Sequence, residues 1–83
     1  MKVSIRYFAS IRERLGSGES IDVPLGSSVA EIRDFLIGRD GSHAEALALG
    51  RALRSALNKT LCDESVIVPA DAELAFFPPV TGG

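Results

Sequence analysis

A chain of 83 residues, 46% hydrophobic and 24% charged, is one small domain in the composition range of ordinary globular folds and outside that of disordered chains. Nine basic against eleven acidic residues give a formal charge of −2 with neither sign gathered into a run, which sets nucleic acid aside as a partner. The single cysteine, Cys62, excludes an internal disulfide and a cysteine-built zinc site and points to a reducing, cytoplasmic setting, while the lack of any apolar stretch of about 18 residues argues against a membrane span.

Val3, Ile5 and Tyr7 alternate with Lys2, Ser4 and Arg6, the period of a strand with one buried face, and the chain start therefore does not read as a signal peptide. Phe8, Ile11 and Leu15 then follow helical spacing until Gly16-Ser17-Gly18 breaks the pattern. Ile21 and Val23 flank Asp22 as a second short strand, stopped by Pro24 and Gly26. Ser28-Val29-Ala30-Glu31 is a capping box, and Val29, Ile32 and Leu36 give the following helix one apolar face, with Gly38 just past its end. Ala44, Leu47 and Ala48 predict a weaker helical stretch ending near Gly50. Leu53, Ser55 and Leu57 alternate as a strand, Asn58-Lys59 turns the chain, and Leu61 lies on a short return. Asp63-Glu64-Ser65 reads as a solvated loop and Pro69 to Ala72 as a turn. Glu73 to Phe77 is the last strand, with Leu74 and Phe76 on one face and Ala75 and Phe77 on the other. The order of elements predicts an α+β sheet with its helices on one face. Phe77 is then expected to point away from the helix-covered core, towards a partner.

A conventional catalytic constellation is missing from the sequence. His43, the sole histidine, is expected at the surface or in a capping region, and Cys62 has no histidine assigned to it and reads as a small buried hydrophobe. Gly16-Ser17-Gly18 lacks the third glycine and the preceding strand of a dinucleotide fingerprint. The acidic pairs Asp63-Glu64 and Asp71-Glu73 are read as solvated loops, with no metal assigned to them. Lys2, Arg6, Arg12 and Arg14 form a minor candidate patch for partner docking.

The sequence closes on Phe76-Phe77-Pro78-Pro79-Val80-Thr81-Gly82-Gly83. Pro78 and Pro79 end any strand and favour extended geometry, which divides the chain into a domain over 1–77 and a flexible tail over 78–83. The tail can span at most about 20 Å, enough to enter another protein's active site. Gly82 and Gly83 bring no Cβ, so the α-carboxylate of Gly83 is the expected reactive group. A carboxylate has no leaving group and needs activation by a nucleotide from a second enzyme. The acyl adenylate of Gly83 could then accept sulfur, giving a thiocarboxylate, or a lysine amine, giving an isopeptide.

The tail closely resembles the C-terminus of the family of molybdopterin synthase small subunits. Tyr7-Phe8-Ala9-Ser10-Ile11-Arg12-Glu13-Arg14-Leu15-Gly16 resembles that family's first strand and helix, and Ala56-Leu57-Asn58-Lys59-Thr60-Leu61 its middle strand and turn; the likeness is faintest from Gly38 to Gly50. The resemblance implies a ubiquitin-like β-grasp fold with the first and last strands side by side in a mixed sheet. It implies a non-catalytic sulfur carrier that binds no cofactor. An adenylyltransferase related to ubiquitin-activating enzymes would spend ATP on Gly83, and a sulfurtransferase would make it a thiocarboxylate. The carrier would then dock on a large subunit, in a complex of two small and two large subunits, and donate sulfur to cyclic pyranopterin monophosphate to build the molybdopterin dithiolene. Gly83 would carry the sulfur, Gly82 would give it a narrow approach, Pro78, Pro79, Val80 and Thr81 would aim the tail, and Phe77 would pack on the large subunit, which would supply the residues around the pterin. Related carriers for thiamine or tRNA thiolation, a protein-conjugating modifier, and an interaction module with a passive tail are the alternatives.

Overall fold

The structure is a computed structural model that describes residues 1–48 and 52–79. Among the described residues eight elements follow one another: β1 (Lys2–Tyr7), α1 (Ala9–Leu15), β2 (Gly18–Asp22), α2 (Val29–Ile37), α3 (Gly41–Leu47), β3 (Arg54–Leu57), β4 (Thr60–Cys62) and β5 (Glu73–Phe77). The strands form one sheet in the order β2-β1-β5-β3-β4. β1 and β5 pair in parallel, from Ser4 opposite Glu73 to Tyr7 opposite Phe76, and every other pairing is antiparallel. The first and last strands thus lie side by side near the middle of a mixed sheet, which is the β-grasp arrangement.

The alternation of β1 sets the two faces of the sheet. Val3, Ile5 and Tyr7 are buried, and Lys2, Ser4 and Arg6 are exposed. One apolar cluster joins Val3, Ile5, Tyr7, Leu74 and Phe76 from the sheet with Ile11 of α1, Val29, Ile32 and Leu36 of α2, and Ala46 and Leu47 of α3. All three helices therefore cover the same face, because each has a stripe of apolar residues that is buried only there. α2 begins as its sequence dictates: the Ser28 hydroxyl accepts from the Glu31 amide, and the Glu31 carboxylate accepts from the Ser28 amide.

Several boundaries differ from the sequence expectation. β2 starts at Gly18, which the sequence pattern assigns to the turn. A Cβ there would lie 2.2 Å from the Ile5 carbonyl oxygen, so only glycine lets β2 close on β1 at this point. α3 ends at Leu47, before the expected limit, and Gly50 lies outside the described residues. Gly38 does end α2, but with right-handed backbone at φ −76°, so its position reflects chain termination and not a left-handed cap. Phe8, expected on the buried side of α1, instead precedes the helix in extended conformation and is 41% exposed. Glu64, expected in a solvated loop, accepts a hydrogen bond from Arg33 at 2.5 Å. Arg33 is itself buried in α2 and also donates to the carbonyls of Leu47 and Ala48, which α3 leaves without helical partners.

Candidate functional site

Phe77 is the last residue of β5, the central strand, so the chain leaves the sheet from its middle and not from an edge. Pro78 and Pro79 follow outside regular structure and are half-buried. Val80, Thr81, Gly82 and Gly83 lie outside the described residues.

The strand registers place apolar side chains around that exit, with Arg6 and Arg54 among them. On the face without helices, Leu61 stands opposite Ala56, Ala56 opposite Ala75, and Ala75 opposite Arg6. One step towards the tail, Phe77 stands opposite Arg54. Phe8 continues the alternation Lys2, Ser4, Arg6 onto this same face, and its amide donates to the Phe76 carbonyl at 3.2 Å, which carries the β1–β5 ladder up to the level of Phe77. The Arg6 guanidinium sits 5.9 Å from the centre of the Phe8 ring. Phe77, half-buried and turned away from the helices as its alternation predicts, is thus part of a face that also holds Phe8 and the 67%-exposed Leu61. Neither of those two was picked out from the sequence. Both were legible in principle: Phe8 by strand parity running one residue past Tyr7, and Leu61 by the two-residue turn that sets Thr60 against Leu57 and so turns Leu61 to the other face.

Beside the exit, Ser10, Ile11 and Arg14 of α1, Ala46 of α3, Ala52 and Pro78 border a groove of ≈ 230 Å³. The tail base is therefore flanked by α1 and α3 on one side of the sheet and by the apolar face on the other.

The remaining sequence candidates take structural places. Of the basic patch, Arg6 pairs with Glu73 at 3.6 Å and Arg14 with Glu45 at 3.0 Å, so these two charges are matched within the chain. Cys62 is half-buried against the core, and its thiol lies 3.9 Å from the Ser55 hydroxyl. His43 does lie in the capping region, since its amide donates to Asp40, the residue that caps α3. Its ring is no surface group: the side chain is 13% exposed and bonded at both nitrogens, to Asp40 and Glu19. Glu19 also accepts from the hydroxyl of Tyr7 and the guanidinium of Arg39, a cluster that the sequence pattern did not reveal because its members come from three separate segments. Among the described residues no group of three or more histidine, cysteine or acidic side chains is arranged to hold a metal ion, and no helix is long and apolar enough to cross a membrane.

The sequence pattern of the ThiS family matches residues 5–83. A molybdopterin synthase sulfur carrier subunit from Haemophilus influenzae is 37% identical over 82 residues, which span 98% of this chain and 99% of that protein. Among solved structures, SAMP1 from Haloferax volcanii matches with a TM-score of 0.78 at 27% identity over 100% of both chains. A chain from the complex of subunits 1 and 2 of the molybdopterin-converting factor of Helicobacter pylori matches with a TM-score of 0.69 at 27% identity, again over 100% of both chains.

Proposed function

The chain belongs to the ThiS family, and from that premise we propose that it is the sulfur carrier subunit of a molybdopterin synthase. The observation that carries this reading is its likeness, over nearly the whole of both chains, to a curated protein of that name. The apolar face around the tail exit supports it from the physical side, because a carrier whose chemistry is done elsewhere needs a surface that docks next to the tail.

In this reading Gly83 is the working residue. Its α-carboxylate attacks the α-phosphorus of ATP on an adenylyltransferase related to ubiquitin-activating enzymes, releasing pyrophosphate and leaving an acyl adenylate. Sulfide-level sulfur supplied by a sulfurtransferase system displaces AMP and leaves a thiocarboxylate, a 1-thioglycine terminus. The large subunit then receives Val80 to Gly83, and the thiocarboxylate sulfur passes to cyclic pyranopterin monophosphate while water returns Gly83 to a carboxylate. A dithiolene needs two sulfurs, so two charged carriers are consumed per product, in a complex proposed to hold two small and two large subunits. Gly82 keeps the approach narrow, and Pro78, Pro79, Val80 and Thr81 direct the tail, the two prolines by restricting its backbone. Phe77 packs on the large subunit with Phe8 and Leu61. The match to a chain from the two-subunit Helicobacter pylori complex supports such a partner.

A second reading, a protein modifier, is favoured by the likeness to SAMP1, the small archaeal modifier protein 1 of Haloferax volcanii, which is as similar in sequence as the Helicobacter pylori chain. Both readings require a free Gly83 carboxylate and differ in its acceptor. The test is to extend the chain by one residue beyond Gly83, or to delete Gly83. Neither variant should restore molybdopterin formation to cells lacking the carrier, while the circular dichroism spectrum and melting temperature stay unchanged. Restoration by the extended variant would rule out the terminal carrier. Intact mass of the native protein separates the acceptors: replacement of one oxygen by sulfur marks the carrier, and a branched lysine adduct marks the modifier.

A further inference from the structure

Tyr7 of β1, Glu19 of β2, and Arg39, Asp40 and His43 around the start of α3 converge on one point. His43 Nδ1 lies 2.8 Å from Asp40 Oδ1, and Nε2 lies 2.8 Å from Glu19 Oε2. The Tyr7 hydroxyl donates to the same Glu19 oxygen at 2.7 Å, Arg39 Nη1 donates to the other at 2.7 Å, and the Tyr7 ring meets the imidazole edge-on at 6.5 Å. An ionised carboxylate only accepts, and a neutral imidazole has a single N–H. Both contacts of the ring are therefore hydrogen bonds only in the imidazolium form. With the proton gone, a nitrogen lone pair faces a carboxylate oxygen at bonding distance.

α3 has seven residues, too few to be stable without its attachments. Its end is held by Arg33 through the Leu47 and Ala48 carbonyls, its middle by the Arg14–Glu45 pair, and its start by His43 and Asp40. Ala46 of the same helix borders the groove at Pro78. We propose that His43 is a proton-operated latch, which as imidazolium fastens α3 to β2 and on deprotonation loosens α3 and the wall it contributes to the groove at the base of the tail.

The groups around the ring agree with this direction. Burial pushes the His43 pKa down, but its hydrogen bonds to Glu19 and Asp40 outweigh that and raise it above the ordinary 6.5. Its contribution to stability is then complete below 6.5 and is lost as the pH rises through the folded value. Glu19, which burial alone would raise, is held below 4.5 by His43 and Tyr7, and Asp40 is held below 3.8 by the His43 amide and ring. Their contributions are complete above those values and are lost as the pH falls through the folded ones. Tyr7 is pushed far above the ordinary tyrosine range by burial and by its bond to Glu19, so it stays protonated where the latch works.

The chain has one histidine, so its ring nitrogens give unambiguous long-range ¹H–¹⁵N NMR signals. Between about pH 5 and pH 9, the imidazolium should persist above the ordinary histidine value. Hydrogen-exchange protection of the α3 amides, corrected for intrinsic rates, should fall roughly fivefold or more across the same midpoint, since a charge-assisted bond is about twice as strong as a neutral one. Amides of β1 and β5 should keep their protection. In His43→Gln the α3 step should vanish, and in Glu19→Gln the histidine midpoint should move down. Constant α3 protection through the His43 titration, a midpoint at or below the ordinary value, or an unchanged step in His43→Gln would each overturn the latch. All of these measurements use the free chain and do not depend on its proposed role as a carrier.

Discussion

Phe76 and Phe77 are neighbours in sequence and sit in opposite environments. Phe76 is fully buried against the helices, whereas Phe77 shares the uncovered face with Phe8 and Leu61. Phe76→Ala removes a large side chain from a closed core and should cost about 3–5 kcal/mol of folding stability, read from urea denaturation. Phe77→Ala should cost much less stability and, in the proposed carrier role, chiefly weaken binding of a large subunit, read by calorimetry. Equal loss of stability in both, with binding unchanged, would overturn the assignment of faces. The difference was legible in the sequence because strand alternation is strictly periodic, and one fixed member of the row, such as Leu74, places all the others. Arg33 was not legible. A charge within an amphipathic helix is expected in water, and the carbonyls of Leu47 and Ala48 that bury this one lie fourteen and fifteen residues away.

Among the elements, those with a local chemical signal or a clear period were legible in the sequence, and a segment defined only by its partners was not. The capping box of α2 and the turn between β3 and β4 each lie within four residues. By contrast, Val66 to Val68 was not read as a structural segment, yet it straps the start of α2: Val29 donates to Val66, Val68 donates to Ser27, and Ile67 bridges Ser28. A three-residue apolar run carries no period of its own, so only its partners define it. The β3–β4 turn also yields a prediction. Asn58 and Lys59 both have positive φ, 49° and 71°, as a two-residue hairpin turn of this hand requires. Asn58 suits the position and further holds β5, its amide donating to the Glu73 carbonyl at 2.8 Å and its side-chain oxygen accepting from the Glu73 amide at 3.0 Å. Lys59 has a Cβ where glycine is preferred and is exposed. Lys59→Gly should therefore stabilise the protein by about 0.5–1 kcal/mol, seen as a melting temperature several degrees higher. A lower melting temperature would mean that the lost backbone restriction of the unfolded chain outweighs the relieved strain.

At the scale of the whole molecule, the topology has one consequence that no single element contains. Placing the last strand in the centre of the sheet makes the tail leave between two segments far apart in sequence, the end of β1 with Phe8 and the β3–β4 hairpin with Leu61. The apolar face at the exit is therefore assembled only in the folded chain. Leu25, Phe35 and Ile67 are also large, apolar and exposed, so exposure by itself does not mark the partner surface. Leu25 lies in the loop after β2, away from the strand rows that carry Phe77, and it serves as a control. If the sheet face docks the carrier, Leu61→Ser should weaken the complex with the large subunit by roughly tenfold or more, the loss expected when an interface anchor worth over 1 kcal/mol is truncated. Leu25→Ser, with the greater exposure, should leave it unchanged. Both substitutions are at exposed positions, so the melting temperature of the free chain should move little in either. Equal weakening by the two would mean that general surface hydrophobicity drives the association, and loss with Leu25→Ser alone would move the docking surface to the loop after β2.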